Sequence, residues 1–379
     1  MTDEYGKTLS YGKAEKEIAK ISQFLFDRKI KSGDRISVQV EKSKENLFLY
    51  LACLKNGFIY HPLNTSYTTE EIDFFLKDAK PKLIVCDDKR KKDIQNITSN
   101  DMHKEIFTLN RDKSGSLLDE IADTKENYDT ISCKNDDTAC LLYSSGTTGR
   151  PKGVMLSHQN LKFTISNLIK VWEYNEDDIL LHSLPIYHAH GLFFAIGCVL
   201  ASGSQMIWHH SFNTNKVIED LPKCSVMMGV PTFYTRLLSH PAFNKNCSSQ
   251  IRIFISGSAP LLKETFNSFK EKTGHKIVER YGLTETGVLT SAPINGKRKA
   301  GSVGTVLENI SIKICNDKDL EVNNNETGEI YTKGDNVFKD YWNMPSKTQE
   351  DFTGDGYFKT GDLGLLDKEG YLFIVGRSK

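Results

Sequence analysis

Residues 143–158 read YSSGTTGRPKGVMLSH, and the fold of the chain turns on how this run is understood. The apolar ACLLY before it has the length of a buried strand. Ser144, Ser145, Gly146, Thr147, Thr148 and Gly149 then crowd four hydroxyls and two glycines into six positions. Hydroxyls and unencumbered backbone N–H groups are what phosphate oxygens need. The run is not a P-loop, because Arg150 and Pro151 separate Gly149 from Lys152 and no Ser or Thr follows the lysine. A phosphate cradle of another kind and a plain polar turn both fit the residues.

Outward from this run, apolar strands alternate with amphipathic helices. On the N-terminal side, Ala14, Ile18, Ile21 and Leu25 form a helical stripe over 11–30, and RISVQV (35–40) follows as a strand. SKENLFLYLACLKNG (43–57) predicts a second helix with Gly57 just past its end. Thr68 and Glu71 have capping-box spacing and open a helix whose Ile72, Phe75, Leu76 and Ala79 share a face. KLIVCD is a short buried strand, and 87–136 reads as a polar, irregular connection.

Toward the C-terminus the alternation resumes: a helix from His158, then ILLHSLP, a helix through 191–200, SVMMGV, a helix over 231–239, IRIFISGSA and a helix over 261–272. Past 305 short strands (ISIKI, EIYTKG, YLFIVG) are split by Gly, Asn and Asp turns. The pattern predicts an α/β protein: a first α/β subdomain and connection over 1–136, a second over 137–305, and a mainly β subdomain over 306–379.

The charge balance, 49 Lys plus Arg against 49 Asp plus Glu, provides no overall field to draw the chain to nucleic acid or an anionic membrane. The eight cysteines include no C-x-x-C pair, which suits reduced thiols in a cytoplasmic compartment. The N-terminus MTDEYGKTLS has neither the apolar core of a secretory signal nor the arginines of a transit peptide. The longest apolar stretch, 191–203, is too short to span a bilayer.

Four more stretches place polar groups where strands end: LPIYHAHGL (184–192), SGSAPL (256–261), ERYGLTETG (279–287) and YFKTGDLG (357–364). Taken singly, each has an ordinary reading as well. His188 and His190 lack a Cys or carboxylate at metal-ligand spacing; Tyr281 suits a core, and Glu285 and Asp362 suit solvated turns. A serine hydrolase is disfavoured by the lack of a G-x-S-x-G elbow.

In this order and spacing, the five stretches together resemble the adenylate-forming acyl-CoA synthetase superfamily, with the likeness running from Leu9 to the last residue. Within it, EKSKENLFLYLACLKNGFIYHPLNTSYT, VMMGVPTFYTRLL, RIFISGSAPLL, VERYGLTET and NVFKDYWNMPSKT look like the malonyl-CoA synthetase subgroup. The resemblance implies the large N-terminal domain of the acyl-CoA synthetase fold. It also implies a reaction in which a carboxylate attacks ATP, pyrophosphate leaves, and coenzyme A thiol then takes the acyl group from the acyl-adenylate.

Residue by residue, the resemblance assigns Ser144–Gly149 and Lys152 to the ATP phosphates and Thr284 to the α-phosphate. Glu285 becomes the Mg²⁺ ligand, a hard oxygen donor for a hard cation. Gly257, Ser258, Ala259 and Pro260 form the adenine wall, Tyr281 stacks on the base, and Asp362 with Arg377 holds the ribose. Arg236 and Arg280 grip the second carboxylate of a short dicarboxylate, since a bidentate guanidinium fits a carboxylate and is costly to bury unpaired. His190 resembles the residue that closes that pocket and can add a hydrogen bond, and Ser258 is a further substrate contact. Asn213 stands where amino-acid-activating relatives carry an aspartate, which disfavours an amino acid substrate.

Malonate is therefore the expected acid, with methylmalonate as a side substrate because one methyl discriminates weakly. Another short acid, or a non-catalytic nucleotide-binding remnant, are the competing readings. The family's mobile C-terminal domain, with its catalytic lysine, has no counterpart before Lys379, so a truncated gene or a fragment with impaired turnover is expected. If the true N-terminus lies upstream, the mitochondrial matrix replaces the cytoplasm as the expected compartment.

Overall fold

The computed structural model describes residues 1–98, 104–144 and 150–378. Two α/β layers and an antiparallel unit surround a continuous core. The first sheet has six strands in the order Glu105–Thr108, Leu83–Cys86, Arg35–Gln39, Ile59–Pro62, Thr138–Ser144 and Lys152–Ser157. All its pairings are parallel except the last, an antiparallel hairpin in which Ser144 lies opposite Lys152. The second sheet has eight strands, with Gln205–Trp208, Ile179–His182, Val226–Gly229, Ile253–Ser256 and Val278–Tyr281 running parallel at its centre.

Four antiparallel strands, Ser311–Cys315, Gly328–Lys333, Phe358–Leu366 and Leu372–Arg377, make the third sheet, as the Gly- and Asn-punctuated pattern predicted. Strand pairing crosses the expected boundary at 136/137. The 138–157 hairpin completes the first sheet, while Thr2–Asp3 at the chain's start pairs with Ile207 and Trp208 in the second.

Local chemistry accounts for most elements. Ser10, Ser43, Thr68 and Ser157 each accept a backbone N–H at a helix start, and Thr68 with Glu71 forms the full capping box. Gly57 ends helix Lys44–Asn56 at φ 68°, a left-handed cap that glycine adopts without steric cost. The segment expected to be irregular instead carries helix Asp88–Thr98, edge strand Glu105–Thr108 and helix Ser116–Ile121. In DKRKKDIQNIT only Ile94 and Thr98 are buried, so this helix presents almost no apolar stripe to read.

The largest cluster of buried side chains runs through all three units, from Leu25 and Phe48 through Tyr60, Trp172 and Phe193 to Val278, Phe338 and Phe358. It makes a rigid floor. In the second sheet Gly229, Ser256 and Glu279 are in register, so the segments after these strands emerge along one edge. That edge is where open α/β sheets place their ligands. Among the described residues, no helix is long and apolar enough to cross a membrane.

Candidate active site

Strand Ile253–Ser256 leads into Gly257 and Ser258, and Ser258 takes a left-handed φ of 69°. For a residue with a Cβ this conformation is unfavourable, so the turn is held by its surroundings. Arg280, on the neighbouring strand and only 5% exposed, lays its guanidinium against Gly257, where any added methyl would overlap it. Its Nη2 donates to Ser258 Oγ at 3.3 Å, and its charge faces the Phe194 ring at 5.3 Å. No carboxylate pairs with it among the described residues.

His190 stands on the other side of Ser258. It opens a π-helical turn, His190–Ala195, that is buried throughout. Such one-turn π segments are frequent at functional sites. Ser258 Oγ lies 3.3 Å from His190 Nδ1. Ser258 Oγ accepts from Arg280 and can also give its own proton to Nδ1, the tautomer in which the His190 proton lies on Nε2. Burial and then the nearby Arg280 charge hold the His190 pKa well below the usual histidine range, so the ring is neutral.

Both His190 Nε2 and Arg280 Nε are buried without a partner among the described residues. Burial lowers the Arg280 pKa only to about 10, so it stays charged at neutral pH. A buried cation beside two unused donors is a costly arrangement unless an anion completes it.

The second group of predicted residues sits at the junction with the third sheet. Asp362, 5% exposed, faces Arg377 across the ladder, and its Oδ1 forms an ion pair with Arg377 Nε at 3.0 Å. Its Oδ2 accepts from the Tyr281 hydroxyl at 2.7 Å. Burial, followed by the Asp362 charge, pushes the Tyr281 phenol well up, so it remains a donor. Each carboxylate oxygen still has a lone pair for a further hydroxyl.

Glu285 is buried in the tight turn after this strand. Its Oε1 accepts from Ser144 Oγ at 2.7 Å and from the Tyr341 hydroxyl at 3.4 Å. Lys152 donates to Tyr341 at 2.9 Å, pairs with Asp351 at 3.2 Å, and lies 4.4 Å over the Tyr341 ring. Ser144 and Lys152, opposite one another in the hairpin, are thus both linked to Glu285, Ser144 directly and Lys152 through Tyr341. Lys152 is an anchored side chain, 13% exposed, and not a free surface charge.

The remaining predicted residues lie less deeply. Thr284 is half-buried beside Glu285, and Ala259 and Pro260 are exposed on the rim. Arg236, expected to grip the second carboxylate together with Arg280, is exposed where Arg280 is buried. It lies on the exposed face of helix Pro231–Leu238 with its guanidinium 4.8 Å over Phe212, and no hydrogen bond joins it to Arg280, His190 or Ser258. Ser145, Gly146, Thr147, Thr148 and Gly149 lie outside the described residues.

Tyr341 and Asp351 had not been singled out from the sequence. DYW and QED look like a core aromatic and a solvated helix end, and only the contacts to Lys152, 189 and 199 residues away, reveal them.

Comparison with known proteins extends this picture. The chain is 32% identical, over 98% of its length, to the malonate–CoA ligase of Arabidopsis thaliana, of which it covers 67%. It is 28% identical to the mitochondrial malonate–CoA ligase ACSF3 of Xenopus laevis, over 91% of this chain and 65% of that protein. The chain therefore spans about two thirds of the length of these curated relatives.

The crystal structure of ATP-bound MatB from Rhodopseudomonas palustris matches with a TM-score of 0.97 at 44% identity, covering all of this chain and 76% of that one. A malonyl-CoA ligase ternary product complex, with methylmalonyl-CoA and AMP bound, matches at 28% identity with a TM-score of 0.82 over 95% of this chain and 75% of that one. The match to the family model for AMP-binding enzymes extends over residues 1–342. With the family model matched over most of the chain and the fold shared throughout, this protein belongs to the AMP-binding enzyme family.

Proposed function

We propose that this chain supplies the ATP and acid sites of an acid–CoA ligase that activates malonate through an acyl-adenylate. The observation that carries the reading is Arg280, a buried guanidinium with no carboxylate partner among the described residues, flanked by His190 Nε2, which likewise has no partner among them. A monocarboxylate with an apolar tail would leave that cation uncompensated. A dicarboxylate completes it and leaves its second carboxylate to react.

The physical obstacle to the first step is the approach of one anion to another. Arg280 holds the non-reacting carboxylate by a charge-assisted contact, with the His190 Nε2 proton as a second donor. Arg236, exposed and free of any carboxylate among the described residues, adds charge at the rim. Fixing one end of the acid aims the other at the α-phosphate. A new C–O–P linkage then forms while the bond to pyrophosphate breaks.

Asp362 and Arg377 hold the ribose, Tyr281 lies against the base, and Thr284 faces the α-phosphate. Ser144–Gly149 cradles the leaving pyrophosphate. Glu285, a buried carboxylate with a lone pair not used by Ser144 or Tyr341, suits Mg²⁺, which when bound supplies positive charge to the phosphates. In the second step the coenzyme A sulfur bonds to the acyl carbon, AMP departs and the thiol proton is released. Methylmalonate is accepted alongside malonate because one methyl costs little.

The test is calorimetric titration of the chain holding a non-hydrolysable ATP analogue and Mg²⁺. Malonate is expected to bind about tenfold or more tightly than butyrate, with the preference lost in Arg280→Met. Equal affinity for the two acids, or a preference that survives Arg280→Met, overturns the reading.

A further inference from the structure

Lys42 is a lysine that the proposed chemistry does not use, yet it is only 8% exposed. It sits between strand Arg35–Gln39 and helix Lys44–Asn56, on the first sheet's side of the core. Its Nζ lies 2.7 Å from His182 Nδ1, 3.0 Å from the His182 carbonyl and 4.2 Å over the Trp208 ring. It makes no ion pair among the described residues, and Glu4 acts on it only through space.

His182 ends the central strand Ile179–His182, and its ring stacks on Trp208 at 5.0 Å. On its far side Nε2 is 2.9 Å from the carbonyl of Gly191. A carbonyl can only accept, so Nε2 carries the proton, Nδ1 is the acceptor, and Lys42 is the donor. Burial and then the Lys42 charge keep the His182 pKa well below the usual range, which agrees with a neutral ring.

The direction of the relay is therefore set, from Lys42 through His182 to Gly191. Gly191 directly follows His190 in the π-helical turn, and a side chain there would overlap the Pro185 carbonyl. The backbone at this point is pressed from one side by Pro185 and tied on the other by His182.

We propose that Lys42 and His182 are positioning residues: their relay holds the Gly191 carbonyl, thereby sets His190 against Ser258 and Arg280, and so controls affinity for the acid without touching it. The inference rests on reading the Arg280–His190 pocket as the acid site. Errors of an ångström in such donors are enough to weaken binding substantially. Lys42 is joined to His182 across 140 residues of sequence, so the first sheet's unit helps shape a pocket that lies on the second.

The experiment uses calorimetric titration of acid into the chain holding a non-hydrolysable ATP analogue and Mg²⁺, with affinity for the analogue measured separately. Lys42→Met and His182→Leu are each expected to weaken malonate binding about tenfold and to leave the analogue within about twofold of the parent. Because the two act as one unit, the double variant should be no worse than either alone. His182→Gln keeps a donor for Gly191 and an acceptor for Lys42, and should return malonate affinity to within about threefold.

Unchanged malonate affinity in both Lys42→Met and His182→Leu overturns the inference. So does a His182→Gln variant as weak as His182→Leu, which marks a packing role only. If Lys42→Met does not fold, the His182 pair decides alone. Should the parent chain prefer butyrate, the malonate reading falls, and the same series titrated with butyrate still decides whether the relay positions the pocket.

Discussion

The proposed acid end and the proposed nucleotide end of this site handle charge in opposite ways. At the acid end Arg280 and His190 are buried, share only the weak 3.3 Å contacts through Ser258, and leave two donors unmatched. At the nucleotide end every charge is already engaged, Asp362 with Arg377 and Tyr281, Lys152 with Asp351 and Tyr341, Glu285 with Ser144. An unmatched cation gains from any correctly shaped anion. A matched network must instead share or exchange partners when a ligand arrives, so its members are tuned more by geometry than by charge.

Breaking the acid end should have the largest effect. Arg280→Met removes a desolvated charge with no ion-pair partner, so kcat/KM for malonate is expected to fall about a hundredfold or more while the melting temperature does not drop. A large fall in melting temperature would show that the cation is matched within the fold after all. Arg236→Leu, on an exposed helix face, should cost no more than about tenfold in malonate affinity because water screens its charge.

The nucleotide end should respond less. Asp362→Asn loses the ion pair with Arg377 and, on the proposed reading, weakens the ribose contact, so the affinity for ATP should drop about thirtyfold, with malonate affinity unchanged. Fluorescence titration with a labelled ATP analogue reads this directly. Tyr341→Phe keeps the ring under Lys152 but deletes the hydroxyl between Lys152 and Glu285, and is expected to raise KM for ATP about threefold to tenfold. A change below twofold would mean that Ser144 and Asp351 suffice to hold Glu285 and Lys152 in place.

The smallest effect on binding is expected at Glu279, the neighbour of Arg280 in sequence. Successive residues of a strand point to opposite faces, so these two buried groups do not neutralise one another. Arginine keeps its proton, whereas burial pushes the Glu279 carboxyl up from 4.5 to about 8. Between about pH 4.5 and 8 the unfolded chain releases a proton that the folded chain retains, so stability falls as pH rises through that window and is level above it. The slope approaches ~1.4 kcal/mol per pH unit. Urea unfolding at several pH values should show Glu279→Gln flattening this slope, with malonate affinity within about twofold of the parent.

Much of the fold was legible because its determinants are local. The Thr68–Glu71 capping box, the Gly57 cap and the alternation of strands with amphipathic helices each lie within one or two turns of chain. Helix Asp88–Thr98 escaped because its surface is charged nearly all round. The hairpin at 138–157 read as the start of a second unit because nothing in its residues states which sheet edge it will join.

For the candidate site, Ser144, Glu285, Asp362 and Arg280 stand in stretches the sequence itself marks out. Tyr341, Asp351, Lys42 and His182 are not singled out in this way. The lysine contacts that define them span more than a hundred residues, and a tyrosine in DYW or a histidine in LLHS looks the same whether or not a lysine is waiting for it.

Sequence alone determined the inventory of chemistry and the short-range elements that carry it, because capping, periodicity and turn preference act over a few residues. Tertiary structure alone decided which of those groups are charged, which are matched and which are left waiting for a ligand. Desolvation and partner choice are set by whatever distant segments pack around a group, and those neighbours exist only once the chain has folded.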